Sequence, residues 1–304
     1  MNTSVLVTGG TGFIGRLLCQ QLLARGHDLT ILSRQTPERV KAICGNVATV
    51  RSVDELQRHN GFDAVINLAG EGIADKRWSQ KRKQVLRSSR IDLTRTLIES
   101  MGSWHKKPAV LVSGSAVGFY GDQGSQIVTE QTAPNEEFTH RLCQDWEAEA
   151  LAAETYGVRV CLSRTGIVVG PDGGFLKRMI PPFRLGLGGR LGNGTQFMPW
   201  IHRNDVVNAL LFLMENGEAS GPFNVVSPNP STNADFTRSL GHVLNRPTPF
   251  PAPAALLSLV LGEMSRLLLT GQRAIPQKLQ SSGFSFSHAD LEPALADVLS
   301  SGRT

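Results

Sequence analysis

Residues 5–15 read Val5-Leu6-Val7-Thr8-Gly9-Gly10-Thr11-Gly12-Phe13-Ile14-Gly15, and their reading decides the fold. Val5, Leu6 and Val7 make the apolar run of a buried strand. Gly9, Gly12 and Gly15 follow at every third residue, and Leu17, Leu18, Leu22 and Leu23 then recur at helical spacing. Strand, glycine turn and helix in this order build a dinucleotide site. The glycines let the backbone approach a pyrophosphate, and the helix N-terminus supplies free N–H groups and partial positive charge. A plain glycine-rich turn accounts for the three glycines, but not for the strand before them and the helix after. The expected cofactor contacts are therefore Gly9, Thr11, Gly12, Phe13, Ile14 and Gly15.

The next strand, Asp28 to Arg34, ends where such sites read the ribose. A free 2′-hydroxyl calls for a carboxylate about twenty residues beyond the glycines, whereas a 2′-phosphate calls for a cation. Ser33 and Arg34 stand there, with no acid before Glu38. A guanidinium fork and a hydroxyl donor suit phosphate, so NADP is expected over NAD.

Val47 to Val53 makes a weak third strand and Asp63 to Gly70 a strong fourth. The small residues at the end of the fourth place Leu68, Ala69 and Gly70 beside the cofactor. A basic helix is expected from Ser79, as N-cap, to Met101. A fifth strand, Pro108 to Ser113, runs into Gly114–Gly121. A helix from Phe138 to Tyr156 and a sixth strand from Val158 to Leu162 lead to Arg164–Pro171. Alternating strands and helices mean a parallel sheet covered on both faces. The fold class is α/β: a Rossmann-type doubly wound parallel sheet with a smaller, mostly helical C-terminal substrate-side region. Residues 1–170 form the expected NADP-binding domain. Residues 205–226 return to it through a helix capped by Asp205 and a strand at Phe223–Val226. Residues 171–204 and 227–304 form the smaller region, packed directly on the first.

In that region five glycines fall between Gly186 and Gly194, a loop that reads either as a ligand lid or as a surface excursion. Leu256, Leu257, Val260, Leu261, Met264, Leu267 and Leu268 form a stripe expected in the core.

The net charge of +5 is local in origin. Lys76, Arg77, Lys81, Arg82, Lys83, Arg87 and Arg90 supply seven of the 31 basic residues, leaving 24 against 26 acidic ones. A near-neutral remainder argues against nucleic-acid binding, and the basic run is expected to be mainly a solvated helix face. The four cysteines contain no CxxC pair, so no metal site and no disulfide framework is expected, as in a reducing compartment. The first strand starts so near Met1 that no signal peptide is expected. The apolar stretch Ala254–Leu269, broken by Glu263 and Arg266, is too short to span a bilayer. A cytoplasmic protein without membrane or nucleic-acid partners is expected, with its oligomeric state open.

Together these residues resemble the extended short-chain dehydrogenase/reductases, and more closely an atypical branch of YfcH-like epimerase family proteins. The resemblance rests on Thr8–Gly15, Asn67–Glu71, Arg77–Trp78–Ser79 through Ser89–Arg90, Ser113–Gly121 and Gly186–His202. It continues through Leu261–Met264 and Gly283–Phe284, so it covers essentially the whole chain. It implies an NADP site in which Arg90 points toward the cofactor phosphates and Val168 lies near the nicotinamide end. From the residues alone, Arg90 also reads as one more solvated charge, and His202 as a loop residue.

The usual reaction of these enzymes uses a tyrosine whose pKa is lowered by a lysine four residues on. This chain has two tyrosines, and Gly124 and Val160 stand four beyond them. With Glu147 as anchor, Thr139 and Cys143 take the positions of the pair. Ser115 matches the catalytic serine that holds the substrate oxygen. Tyr120, in a stretch where the resembling tyrosine is structural, is the candidate proton donor. Two function classes follow. One is an NADP-dependent oxidoreductase or epimerase-like enzyme that reduces a carbonyl on a small polar substrate without the tyrosine–lysine pair. The other is a non-catalytic NADP-binding sensor or scaffold.

Overall fold

The computed structural model describes residues 3–57 and 59–301. Seven short strands make one sheet: β1 (Ser4–Thr8), β2 (Asp28–Leu32), β3 (Ala48–Val50), β4 (Ala64–Asn67), β5 (Val110–Ala116), β6 (Arg159–Thr165) and β7 (Gly221–Val225). They pair in the order β3-β2-β1-β4-β5-β6-β7, parallel throughout. The chain order reverses between β1 and β4, which opens a crevice beyond their carboxyl ends.

The central strands are buried on both faces, and their side chains alternate between two cores. Val5, Val7, Ile31, Ile66 and Val112 pack with α1 (Gly15–Ala24) and the helix Arg203–Glu215. Leu6, Val65, Leu111 and Val160 face Leu97, Ile98 and Met101 on the other side. A third core, around Phe183, Trp200, Phe236, Leu240 and Leu295, holds the C-terminal region together. Ile201 joins the first core, so the two regions share packing.

The basic stretch forms two helices where one was expected, α2 (Gln80–Ser88) and α3 (Ile91–Ser103). Ser79 caps the first, its Oγ accepting from the Arg82 N–H at 3.1 Å. The break falls at Arg90, whose guanidinium turns inward to the Leu86 and Glu71 carbonyls. The helix after β5 is α4 (Phe138–Leu151).

The chain leaves the main sheet at Gly166, and Ile167–Val169 pairs instead with Trp200–His202. The following helix starts at Arg203 with His202 as its cap: the imidazole Nδ1 accepts from the Asn204 N–H at 3.2 Å. The expected cap, Asp205, instead takes the N–H groups of Ser287 and His288, both at 2.9 Å.

The stripe from Leu256 to Leu268 also differs from expectation. Its helix spans only Ala254–Leu261 and contains no buried residue. The run turns at Gly262, and of the seven only Met264 is buried. No helix among the described residues is long and apolar enough to cross a membrane.

Candidate functional site: a dinucleotide crevice

The crevice floor is the turn between β1 and α1. Gly9 has φ +69°, and a Cβ there would lie 2.7 Å from the Leu68 carbonyl carbon; one on Gly15 would collide with the Gly9 carbonyl. Only glycine permits that left-handed turn with helix and strand so close. The Gly12 N–H donates to Gly9 O at 3.0 Å, and no side chain caps α1 at Ile14. First-turn N–H groups without a side-chain acceptor suit an anion.

Thr8 ties this loop to β4. Its Oγ1 donates to Asn67 Oδ1 at 2.6 Å and accepts from the Ala69 N–H at 3.1 Å. Its carbonyl takes the Leu68 N–H at 3.2 Å. Leu68, Ala69 and Gly70 thus run directly beside Gly9.

At the end of β2, the Ser33 hydroxyl accepts from the Gln35 N–H, and Gln35 Nε2 reaches Thr11 Oγ1 at 3.4 Å. The Arg34 side chain is 92 % exposed and meets Glu71 at 3.5 Å. Arg82, only 10 % exposed, meets the same carboxylate at 3.4 Å and leaves its Nε buried without a partner. Glu71 and Arg82 were not anticipated at this corner. They arrive from the β4 loop and α2, and only the folded sheet shows that they adjoin Arg34.

Arg90 is half-buried rather than solvated. It donates to Glu71 O at 2.8 Å and lies over the Trp146 ring at 5.4 Å. Burial pulls its pKa down. Two further arginines unforeseen in the sequence flank the phosphate loop. Arg16 and Arg203 lie over Phe13 at 5.9 and 5.0 Å, and both reach toward the Pro171 carbonyl. Burial, then the neighbouring Arg16, lowers the pKa of Arg203, whose Nε is buried without a hydrogen-bond partner. Paired cations with an unused donor beside a helix N-terminus are what a pyrophosphate would fill. Val168 is half-buried in the Ile167–Val169 strand, opposite Ile201.

At the ends of β5 and β6 lies a closed polar network. Ser115 Oγ donates to Glu147 Oε1 at 2.6 Å. Arg164 grips the same carboxylate through Nε and Nη2, both at 2.8 Å. Arg164 Nη1 donates to the Tyr120 hydroxyl at 3.0 Å, and that hydroxyl donates to Asn224 Oδ1 at 2.7 Å. Tyr120 is fully buried, and burial, partly offset by Arg164, pushes its pKa up to about 12. Its expected role as proton donor does not fit this geometry, because its only proton is committed inside the core. Thr139 and Cys143, on the helix turn facing Ser115, are also buried. Burial and then Glu147 push the Cys143 thiol up to about 12.

His202, His288 and Asp297 bring potential ligand atoms within 4.8 Å of one another. His202 Nδ1 already accepts from the Asn204 N–H, so the neutral ring carries its proton on Nε2. That nitrogen has no lone pair to offer a metal.

A doubly wound parallel sheet with this glycine loop at its switch point defines a dinucleotide-binding protein of the extended short-chain dehydrogenase/reductase type. The chain belongs to the NAD dependent epimerase/dehydratase family, whose model matches residues 5–226, and residues 252–298 match a domain of unknown function (DUF1731). It is 40% identical over 297 residues to the Epimerase family protein Mb2239 of Mycobacterium bovis, covering 97% of each chain. It is 38% identical over 306 residues to the Epimerase family protein YfhF of Bacillus subtilis, covering 99% of each. The crystal structure of human epimerase family protein SDR39U1 with NADPH superposes with a TM-score of 0.89 at 33% identity, over 98% of this chain and 99% of that one.

Proposed function

We propose that this chain binds NADP(H) in the crevice over Gly9–Gly15 and serves cofactor-linked redox chemistry on a small polar substrate in the cytoplasm. The observation that carries the reading is Arg34, whose exposed guanidinium stands at the ribose-reading corner with Ser33 beside it. Thr11, Gly12, Phe13 and Ile14 would hold the pyrophosphate by their backbone, with Leu68, Ala69 and Gly70 along one wall. Arg90 would steady that wall from beneath, and Val168 would border the nicotinamide end. The human relative's complex with NADPH supports the same choice.

A bound nicotinamide supplies or accepts a hydride; the accompanying proton is the open question. The Ser115 proton is given to Glu147 and the Tyr120 proton to Asn224. Ser115 therefore offers oxygen lone pairs, which suit a substrate hydroxyl or amine better than a carbonyl oxygen. Carbonyl reduction here would take its proton from water or from the substrate itself.

The buried Thr139 and Cys143 at the positions of the usual tyrosine and lysine favour a second reading, a non-catalytic protein that senses NADP(H). Calorimetric titration with NADPH and NADH tests the shared part, and equal affinities would sink the choice of NADP. A screen of carbonyl and hydroxyl substrates, followed by NADPH absorbance, separates the two readings. Turnover supports the first, and tight binding without any turnover supports the second.

A further inference from the structure

The helix Ala254–Leu261 reads Ala-Ala-Leu-Leu-Ser-Leu-Val-Leu and buries none of its residues. Leu256, Leu259 and Val260 are 54, 75 and 58% exposed. The segment before it joins the glycine-rich loop edge to edge. The Ala252 N–H donates to Arg190 O at 2.8 Å, and the Gly192 N–H to Ala252 O at 2.9 Å. That contact adds Phe250, Leu185 and Leu187, which are 61, 74 and 61% exposed. So many large apolar side chains in solvent on adjoining segments mark a contact surface.

Charge says what kind. Between Asp172 and Asp205 the chain carries Lys177, Arg178, Arg184, Arg190 and Arg203 and no acid; between Asp235 and Glu263 it carries Arg238, His242 and Arg246 and no acid. Arg178, Arg238 and His242 are paired with Asp75, Asp235 and Glu292. Arg184, Arg190 and Arg246 are exposed and form no ion pair among the described residues. Beside the apolar segments lies a cavity of about 380 Å³ lined by Arg190, Thr237, Arg238, Thr248, Pro249 and Pro251. Thr237 is only 4% exposed, and its hydroxyl there has no hydrogen-bond partner.

We propose that this face docks on an anionic phospholipid bilayer. The leucines, Val260 and Phe250 enter the headgroup–acyl boundary, and a lipid phosphate takes the Arg190–Thr237–Thr248 cavity. Exposed apolar segments that also carry the unpaired Arg184, Arg190 and Arg246 satisfy both parts of such a surface. A second copy fits less well, because a symmetric contact would set the same arginines against one another. The helix has eight residues and lies on the membrane without crossing it. Membrane contact runs against the expectation from the sequence, in which Leu256 and Val260 read as core residues.

The test is flotation of the full chain with vesicles of phosphatidylcholine alone and of phosphatidylcholine mixed with phosphatidylglycerol. Binding is expected to the mixed vesicles only. Leu259→Asp with Val260→Asp should lower it by about tenfold or more, since charges are costly in the apolar boundary. Arg190→Gln should lower it about fivefold, the effect of one cation at an anionic surface. Unchanged circular dichroism and melting temperature show that the variants remain folded; their substituted side chains face solvent. No binding, equal binding to both vesicles, or binding that the Leu259/Val260 variant leaves intact would overturn the proposal. A dimer in sedimentation velocity that this variant dissociates, without vesicle binding, would overturn it in favour of a self-interface. Retention of a soluble acidic protein in place of vesicles would overturn it as well.

Discussion

The Ser115 hydroxyl donates to the Glu147 carboxylate at 2.6 Å, and both side chains are buried. The carboxylate is also held by two Arg164 nitrogens, so Ser115 completes a charge network more than it waits for a substrate. Removing one partner of a buried pair leaves an uncompensated charge in the core. Arg164→Met should therefore cost about 3–5 kcal/mol of stability. Ser115→Ala, which leaves the ion pair intact, should cost roughly 1–3 kcal/mol. Urea unfolding of both variants is the check, and equal losses would show that the ion pair stabilises the fold no more than the serine hydrogen bond does.

The Tyr120 hydroxyl separates the two roles considered for it. Tyr120→Phe strands Asn224 Oδ1 and leaves Arg164 Nη1 with only its longer bond to the Glu130 carbonyl at 3.4 Å. Destabilisation of roughly 1–3 kcal/mol is expected, the cost of unsatisfied buried polar groups, with NADPH affinity unchanged. If the variant instead keeps full stability and loses turnover on an identified substrate, the proton-donor role returns.

Cofactor choice turns on a corner with two signs of charge. Arg34 favours a 2′-phosphate, while Glu71, 3.5 Å away, opposes it. Arg34→Asp should shift preference toward NADH by roughly 1–3 kcal/mol, the scale of a charge-assisted contact. Glu71→Gln should move it the other way, raising NADPH affinity about fivefold, as expected for one removed like charge in a solvated site. Calorimetry on both variants decides it; shifts in the same direction would mean that the corner acts through packing.

What the sequence disclosed and what it hid divide along a physical line. The glycine turn and the alternation of strands were legible because each is set by neighbours within a few residues. The return of a strand near Phe223–Val226 to the main sheet was legible too, but its pairing with β6 appears only in the fold. Glu71, Arg82, Arg16 and Arg203 were not, because their meaning depends on which loops the sheet brings together. Tyr120 was misjudged because burial is a tertiary property: nothing in Gly118-Phe119-Tyr120-Gly121 shows that Arg164 and Asn224 will close over the ring. The Leu256 stripe misled for the converse reason. Helical spacing predicts a face, but not whether anything covers it.

His202 provides the pH dependence. Its ring is 1% exposed, stacked on His288 at 3.8 Å, with Asp297 and Asp205 nearby and Arg203 next in the chain. Burial, then the His288 charge, lowers its pKa to about 4, against 6.5 for an ordinary histidine. Its Nδ1 must also stay unprotonated to cap the helix at Asn204. Below pH ~6.5 the unfolded chain takes up a proton that the folded chain refuses until near pH ~4. Stability conferred by the neutral ring is therefore fully present above that window and lost as pH falls through it, at about 1.4 kcal/mol per pH unit. His202→Asn keeps a side-chain cap acceptor but cannot titrate. The slope of unfolding free energy against pH between these limits should flatten in the variant by about one proton's worth, while stability near neutral pH falls through loss of the buried ring stacked on His288. Parallel pH profiles for parent and variant would show that His288 or the carboxylates, not His202, govern acid sensitivity at this helix start.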